Sequence, residues 1–294
     1  MKTAHARERA QLRPARPHDI ARLVRLMPRG AGAPMHTRYL LAENANGEFL
    51  GGAYLTINPK ARGVPAACFQ LAAADEAHAD EIASLLLAGC VAQARADRAE
   101  MLSHDGMVRE GSPMDRFLRA HGFEEAHALT EYVMDVEAAR DAIDSAYRHI
   151  ARRGRIPPDG RVLALQDAPI EPVQSLIARH LGPVADLDWN VAGSRVLADV
   201  STVVQLGPRV VGALVIRDLE GQAEAPYDVV DKEFRAGWVT VAMWRRSCLK
   251  GTEAGYRSIR FKTSERFKVF SNFARRMQSA VLAREFRYVM PLAS

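Results

Sequence analysis

Apolar positions along the chain fall into two spacings, and the spacing changes at turn-forming residues. Residues 79–98 carry Ile82, Leu85, Leu86 and Gly89 on one face, the three-to-four-residue spacing of an amphipathic helix. Short apolar runs at 39–43 and 49–57 flank Asn44-Ala45-Asn46-Gly47, a turn sequence that favours a hairpin. Over the first half the pattern predicts strands at 11–15, 39–43, 49–57, 66–72, 100–104 and 129–136. Helices are predicted at 17–27, at 79–98 and at 113–121, the last stopped by Gly122. A connecting helix over 137–153 ends at Gly154 and the extended Ile156-Pro157-Pro158. The second half predicts strands at 162–165, 202–206, 210–217, 226–230, 258–262 and 286–292, with helices at 239–254 and 268–277.

The order of elements is nearly the same twice, and the sequence repeats with it. FLRAHGFEEAHALTEYVM and FARRMQSAVLAREFRYVM place Phe117 and Phe273 fifteen positions before Tyr132-Val133-Met134 and Tyr288-Val289-Met290 respectively, an offset of 156. GEFLGGAYLTI around Gly52 matches PRVVGALVIRD around Gly212 at an offset of 160. ARPHDIARLVRLM and QDAPIEPVQSLIARHL share a proline-led turn before an amphipathic stretch. A duplicated α/β unit follows, with expected domains at 1–136 and 158–294 joined by a helix and proline-rich linker at 137–157.

Composition agrees with two globular cores: 294 residues, 32.4 kDa, 48% hydrophobic and 26% charged. Cys68, Cys90 and Cys248 are odd in number and far apart, which suits a reducing compartment and no disulfide framework. No apolar run reaches the roughly 18–20 residues of a membrane span. The start, MKTAHARERAQLRP, has arginines but also Glu8 and no apolar core of a signal peptide. A cytoplasmic protein without a membrane partner is the expectation. Charge divides unevenly: residues 1–150 hold 18 basic and 20 acidic side chains, residues 151–294 hold 22 and 15. Residues 235–287 alone carry 13 basic and three acidic residues, a block suited to phosphates, an acidic carrier protein or nucleic acid, or else a solvated face.

The stretch VVDKEFRAGWVTVAMWRRSCLKGTEAGYRSIRF (229–261) resembles the acyl-CoA loop and helix of the GCN5-related N-acyltransferases, the GNAT superfamily. Val230 matches the valine ending the strand, Arg235 opens the loop, and Gly255-Tyr256-Arg257 precedes the next strand at the family distance. LAAADEAHADEIASLLLAGCVAQARADRAEML and FLRAHGF repeat the frame in the first half. The resemblance implies a mixed α/β (α+β) fold of two tandem GNAT-like domains, each a twisted mixed sheet flanked by helices. It implies acyl transfer from acetyl-CoA or a longer acyl-CoA, or from an acyl carrier protein, to a primary amine of a small molecule or peptide.

Carried onto this chain, the resemblance makes Val229, Val230, Arg235, Ala236, Gly237, Trp238, Val239 and Thr240 the donor-binding residues. Backbone N–H groups at a helix start, helped by the dipole, suit a pyrophosphate. Trp238 and Thr240 depart from the small residues of the family loop; the hydroxyl of Thr240 suits phosphate, and Trp238 points away or stacks on the donor. Asp228 is the candidate base, or else an exposed strand residue. The tyrosine that protonates the leaving thiolate in the family falls at Ala274 and Leu118, with Tyr227, Ser264 and Ser271 as weaker replacements. In the first half Asp80 and Glu81 stand in the loop, better read as complementing a helix dipole than as facing a pyrophosphate, so that copy is expected to be degenerate and non-catalytic.

No histidine or cysteine spacing suits a metal. Cys248, Trp238 and Trp244 read as packed core on a helix. Phe261, Phe267, Phe270 and Phe273 interleave with Arg260, Lys262, Arg266 and Lys268, but at core spacings, which argues against stacking on nucleic acid. The missing tyrosine and altered loops keep a second reading open: a non-catalytic acyl-CoA-sensing or scaffolding protein.

Overall fold

A computed structural model describes residues 10–27, 37–58, 65–74, 78–182, 195–235, 237–264 and 268–292. Ala236, Arg266, Phe267 and residues 1–9 of the arginine-rich start lie outside the described residues. Contacts divide the chain into two compact units, Met1–His127 with Glu285–Ser294, and Ala128–Arg284.

The first unit has β1 (Gln11–Pro14), α1 (Ile20–Leu26), β2 (Thr37–Glu43), β3 (Phe49–Asn58), β4 (Ala66–Ala73), α2 (Ala79–Ala96), β5 (Met101–His104), β6 (Val108–Arg109) and α3 (Pro113–Ala120). The chain then runs through β7 (Glu124–Asp135), α4 (Val136–Arg152), β8 (Gly160–Ala164), α5 (Ile170–Leu181), β9 (Thr202–Leu206), β10 (Arg209–Leu219) and β11 (Gln222–Val230). It ends with α6 (Trp238–Glu253), β12 (Ser258–Ser264), α7 (Lys268–Arg276) and β13 (Ala280–Pro291). The helices and strands expected from periodicity all form, but β7, β11 and β13 start at Glu124, Gln222 and Ala280, four to six residues before their expected starts.

Each unit builds the same mixed sheet. In the first the order is β1-β2-β3-β4-β5-β13, with β6 also on β13; in the second it is β8-β9-β10-β11-β12-β7. Among the described pairings within each unit, β4 with β5 and β11 with β12 are the parallel ones, each across a long helix. The sixth strand of each unit comes from the other half of the sequence. Val289, Met290 and Pro291 of β13 pair with Ser103, Leu102 and Met101, and residues 129–135 of β7 pair along the whole of β12. The units therefore do not follow the expected cuts at 136 and 158, because β-pairing and side-chain burial, not the repeat, decide which sheet receives a strand. Met134 is buried in the second unit's core, and Phe286 and Tyr288 are buried in the first unit.

Local chemistry explains how each exchanged strand is held. In the first unit Ser112 caps α3 through the Asp115 N–H (3.2 Å), and the buried Asp115 carboxylate accepts from Gly111 N (2.7 Å), Arg119 Nε (2.9 Å) and the Tyr288 hydroxyl. Burial raises the pKa of Asp115, but these donors outweigh it and hold the carboxyl below its ordinary range. Arg119 also lies 5.5 Å over the rings of Phe286 and Tyr288. In the second unit Asp135 caps α4 through the Ala138 N–H (2.8 Å), and Val136, Ala139 and Ile143 bury one face of that helix in the core. The helix expected as a linker is thus part of the second unit.

Gly212 of β10 sets how closely α6 approaches its sheet. A Cβ there would sit 2.5 Å from Val239 Cγ1 and 2.9 Å from Met243 Sδ. Gly212→Ala is expected to push α6 outward and lower stability by about 1–3 kcal/mol, the scale of overpacking. Chemical denaturation measures it; an unchanged midpoint would show that the helix shifts freely.

Candidate functional site

The site is built where β11 leaves its neighbour. Parallel pairing of β11 with β12 covers Ala223–Ile259, Glu224–Arg260 and Ala225–Phe261, and stops there. The next residue, Pro226, has no N–H to continue the ladder. On its other edge β11 stays paired to β10 from Tyr227–Val215 to Val230–Gly212, past a bulge between Val215 and Arg217. The bulge is on β11, where Ala225 and Pro226 stand opposite the single Ile216, whose N–H and carbonyl are satisfied by the Ser201 hydroxyl and the Leu197 N–H, both at 2.8 Å. Residues 226–230 of β11 thus run on without ladder pairing on the β12 side, and β12 stays paired to β7 through Ser264.

Asp228 sits within this run, half-buried, with Oδ2 accepting from Trp244 Nε1 of α6 at 2.8 Å. Its Oδ1 is buried with no hydrogen-bond partner. Burial pushes the pKa of Asp228 up to about 7, and the indole N–H offsets only part of that. Trp244 is itself fixed between Phe261 (5.1 Å) and Phe273 (5.5 Å between ring centres). One turn earlier on α6, the buried Thr240 hydroxyl also has no partner. Two orphaned polar oxygens in one region are unusual in a packed interior, where such groups are nearly always satisfied. The sequence placed Asp228 as a base or as an exposed strand residue; the residue is half-buried, with its Oδ1 shielded from solvent. Trp244, sixteen residues away, carried no sequence signal as its partner.

Beyond Val230 the chain is clamped before it turns into α6. Asp231, buried, accepts from His180 Nε2 (3.0 Å), Arg179 Nη1 (3.3 Å) and Arg209 Nη2 (2.5 Å). Burial raises its pKa, and these three cationic or polar donors more than reverse that, so it lies below its ordinary range. Arg235 turns back, with Nε donating to the Val230 carbonyl at 3.3 Å. Gly237 is the N-cap of α6, in extended conformation (φ −103°, ψ −160°), and offers no side-chain cap. The first-turn N–H groups of α6 therefore have no capping side chain.

Of the expected donor residues, the structure places Val229, Val230, Gly237, Trp238, Val239 and Thr240 at the end of β11 and the start of α6, with Arg235 between them. The side chains of Trp238 and Val239 face inward: a Cβ at Gly160 would lie 2.8 Å from the Trp238 ring, and Val239 packs on Gly212. What these two residues present outward is backbone. Ala274 and Leu118, at the family tyrosine's place, are buried apolar positions. Cys248 is buried in the core, its thiol pushed up to about 12 by desolvation. Among the described residues, no cluster of His, Cys, Asp and Glu is arranged to hold a metal, and no helix is long and apolar enough to cross a membrane.

The first unit repeats the frame without the carboxylate. Counting from Gly52 and Gly212, Gln70 lies opposite Tyr54 on β3 as Asp228 lies opposite Leu214 on β10, but the faces differ: Gly52 packs on Leu23 of α1, whereas Gly212 packs on Val239 and Met243 of α6. The Gln70 Oε1 is likewise buried without a partner. Asp80 and Glu81 occupy the exposed first turn of α2, where they complement its dipole.

No model of a protein family matches the sequence, and no curated protein matches it. Solved structures do match over nearly the whole chain. A GCN5-related N-acetyltransferase from Sphaerobacter thermophilus is 14% identical, with 97% of this chain and 96% of that one covered at a TM-score of 0.56. A tandem GNAT protein from the clavulanic acid biosynthesis pathway is 15% identical over 97% and 99%, at 0.57. A GCN5-related N-acetyltransferase from Anabaena variabilis is 11% identical over 97% and 73%, at 0.57. Identities this low establish the fold: two GNAT units in tandem.

Proposed function

We propose, from a GNAT fold used twice, that the second unit transfers an acyl group from acetyl-CoA or a longer acyl-CoA to a primary amine of a small molecule or peptide. The observation that carries this reading is the parting of β11 from β12 after Ala225, directly before the uncapped start of α6. An unpaired strand edge suits the amides of a pantetheine arm, which add to it as a further strand would. The start of α6, with Arg235 and Gly237 beside it, suits a pyrophosphate. The buried, orphaned oxygens of Asp228 and Thr240 fit a ligand lying along β11 and reaching α6. The basic block around α6 also suits the acidic surface of an acyl carrier protein as the alternative donor.

In this reading the amine attacks the thioester carbonyl, the C–N bond forms, and the C–S bond breaks as the thiolate leaves. Asp228, titrating near neutrality, takes the proton released by the amine. The first unit, whose β4 turns Phe69, Leu71 and Ala73 and no carboxylate toward α2, does no chemistry.

Binding tests the donor assignment. Arg235→Ala and Gly237→Val are each expected to weaken acyl-CoA about tenfold or more, since a hydrogen bond to a charged group is worth roughly 1.5–3 kcal/mol. A side chain at Gly237 would stand 3.2 Å from the Phe234 carbonyl, so the loop accepts it with a small shift while a phosphate does not. Thermal stabilisation by acetyl-CoA, longer acyl-CoA and acyl carrier donors reads the effect. Parental affinity in both variants would put the donor elsewhere.

One observation favours a second reading, a non-catalytic acyl-CoA sensor. No tyrosine stands at Ala274 or Leu118, both buried apolar positions. Its mark would be donor binding with no acyl product across a broad panel of amines.

A further inference from the structure

A second concavity lies in the same unit, on the face of α6 that meets α4. Its volume is about 190 Å³. Arg140, Asp144 and Tyr147 follow one another along α4 at helical spacing and form one wall, and Arg245 and Arg246 of α6 stand on the other. Its apolar lining comes from Val162 of β8 and from Ala242 and Leu249 of α6.

Two of the three guanidinium groups are held in place before any ligand arrives. Arg245 donates from Nε to Asp144 Oδ1 at 2.5 Å and lies 4.7 Å over the Tyr147 ring. Arg246 donates from Nη1 to the carbonyls of Asp199 (2.8 Å) and Ser201 (3.1 Å), with the Asp199 carboxylate 3.5 Å from its Nη2. Arg140 is nearest to Asp141, at 3.9 Å, a carboxylate 92% exposed and so of little electrostatic weight. Arg140, Arg245 and Arg246 each have a carboxylate within 4.0 Å, Asp141, Asp144 and Asp199 respectively, and of these only Asp144 lines the cavity. Fixed donors around an apolar concavity lower the ordering cost of binding an anion.

We propose that this cavity binds a small amphipathic anion, one carboxylate or phosphate-monoester group on a compact apolar body. The anionic oxygens would meet Arg140 and Arg246, and the apolar body would lie on Val162, Ala242 and Leu249 beside the Tyr147 ring. The cavity is smaller than the roughly 300 Å³ at which drug-sized ligand pockets begin, so the ligand is small. It uses the middle turns of α6 and stands independently of any donor at that helix's start.

Titration of the full chain with phenylacetate, phenyl phosphate and the neutral phenylacetamide, followed by calorimetry or NMR, tests the proposal. The expected result is saturable binding of at least one anion and none of the amide; the better of the two anions tells carboxylate from phosphate. Arg140→Glu should weaken that anion by about tenfold or more. Leu249→Glu, which adds a carboxylate at an exposed position, should do the same. Arg235→Ala should leave it unchanged. No saturable binding by either anion, equal binding of the amide, or full affinity in both glutamate variants would overturn the assignment, as would loss in Arg235→Ala.

Discussion

Asp228→Asn is expected to make the protein more stable at pH 8 while lowering its turnover. Burial holds the pKa of Asp228 at about 7 in the folded chain, against an ordinary value near 4 in the unfolded one. The folded state thus keeps a proton that the unfolded state releases, and stability falls as pH rises from about 4 to about 7. Three pKa units correspond to about 4 kcal/mol. Asparagine removes the ionisation and still accepts from Trp244 Nε1, but it places an amide nitrogen where Oδ1 had no partner, a cost of about 1–3 kcal/mol. The net gain expected at pH 8 is roughly 1–3 kcal/mol, shrinking to nothing or reversing at pH 5. Urea denaturation at the two pH values checks it, and a variant destabilised equally at both would show that Asp228 is not charged against its surroundings. If the carboxylate is the base, turnover with any amine substrate falls by roughly 10²–10⁴ with donor affinity retained.

Tyr288→Ala should cost the first unit about 3–5 kcal/mol, the usual loss for a large buried aromatic. Its hydroxyl is one of the donors to the buried Asp115, and its ring lies under Arg119, so truncation breaks the carboxylate's shell as well as the packing. Removing residues 285–294 takes away the pairing of β13 with both β5 and β6 and should be more severe. Hydrogen exchange followed by mass spectrometry gives the readout: protection is lost in β5 and α3, and kept in β10 and β11. Tyr288→Phe, which keeps the ring, should cost only about 1–2 kcal/mol. Loss of protection confined to the second unit would mean that the strand belongs there instead.

Much of this was legible in the sequence. Helical periodicity and apolar runs pointed to the elements, since the apolar faces of α2 and α4 and the continuously buried runs of β3 and β10 reflect local burial. The repeat pointed to two units, although its two glycines pack on different helices, Gly52 on Leu23 of α1 and Gly212 on Val239 and Met243 of α6. Strand membership was not legible: the two copies of the Tyr-Val-Met segment fit either sheet equally well, and only tertiary contacts such as Tyr288 with Asp115 decide between them. At the site, the positions of Asp228 and Gly237 could be read from a local pattern. The hydrogen bond from Trp244 to Asp228, and the clamp of Arg179, His180 and Arg209 on Asp231, join residues 16 to 52 positions apart, beyond any local pattern.

The exchanged strands also fix an order of assembly during synthesis. The second unit is one unbroken stretch, Ala128–Arg284, and every strand of its sheet has been made before residue 285 is added. The first unit begins earlier but is completed later, because the strand that covers β5 comes from Glu285–Ser294. Until then β5 is an open sheet edge, the kind that recruits foreign strands. The half translated first is thus the half that needs protection longest, and slow synthesis between β6 and β13 prolongs its exposure.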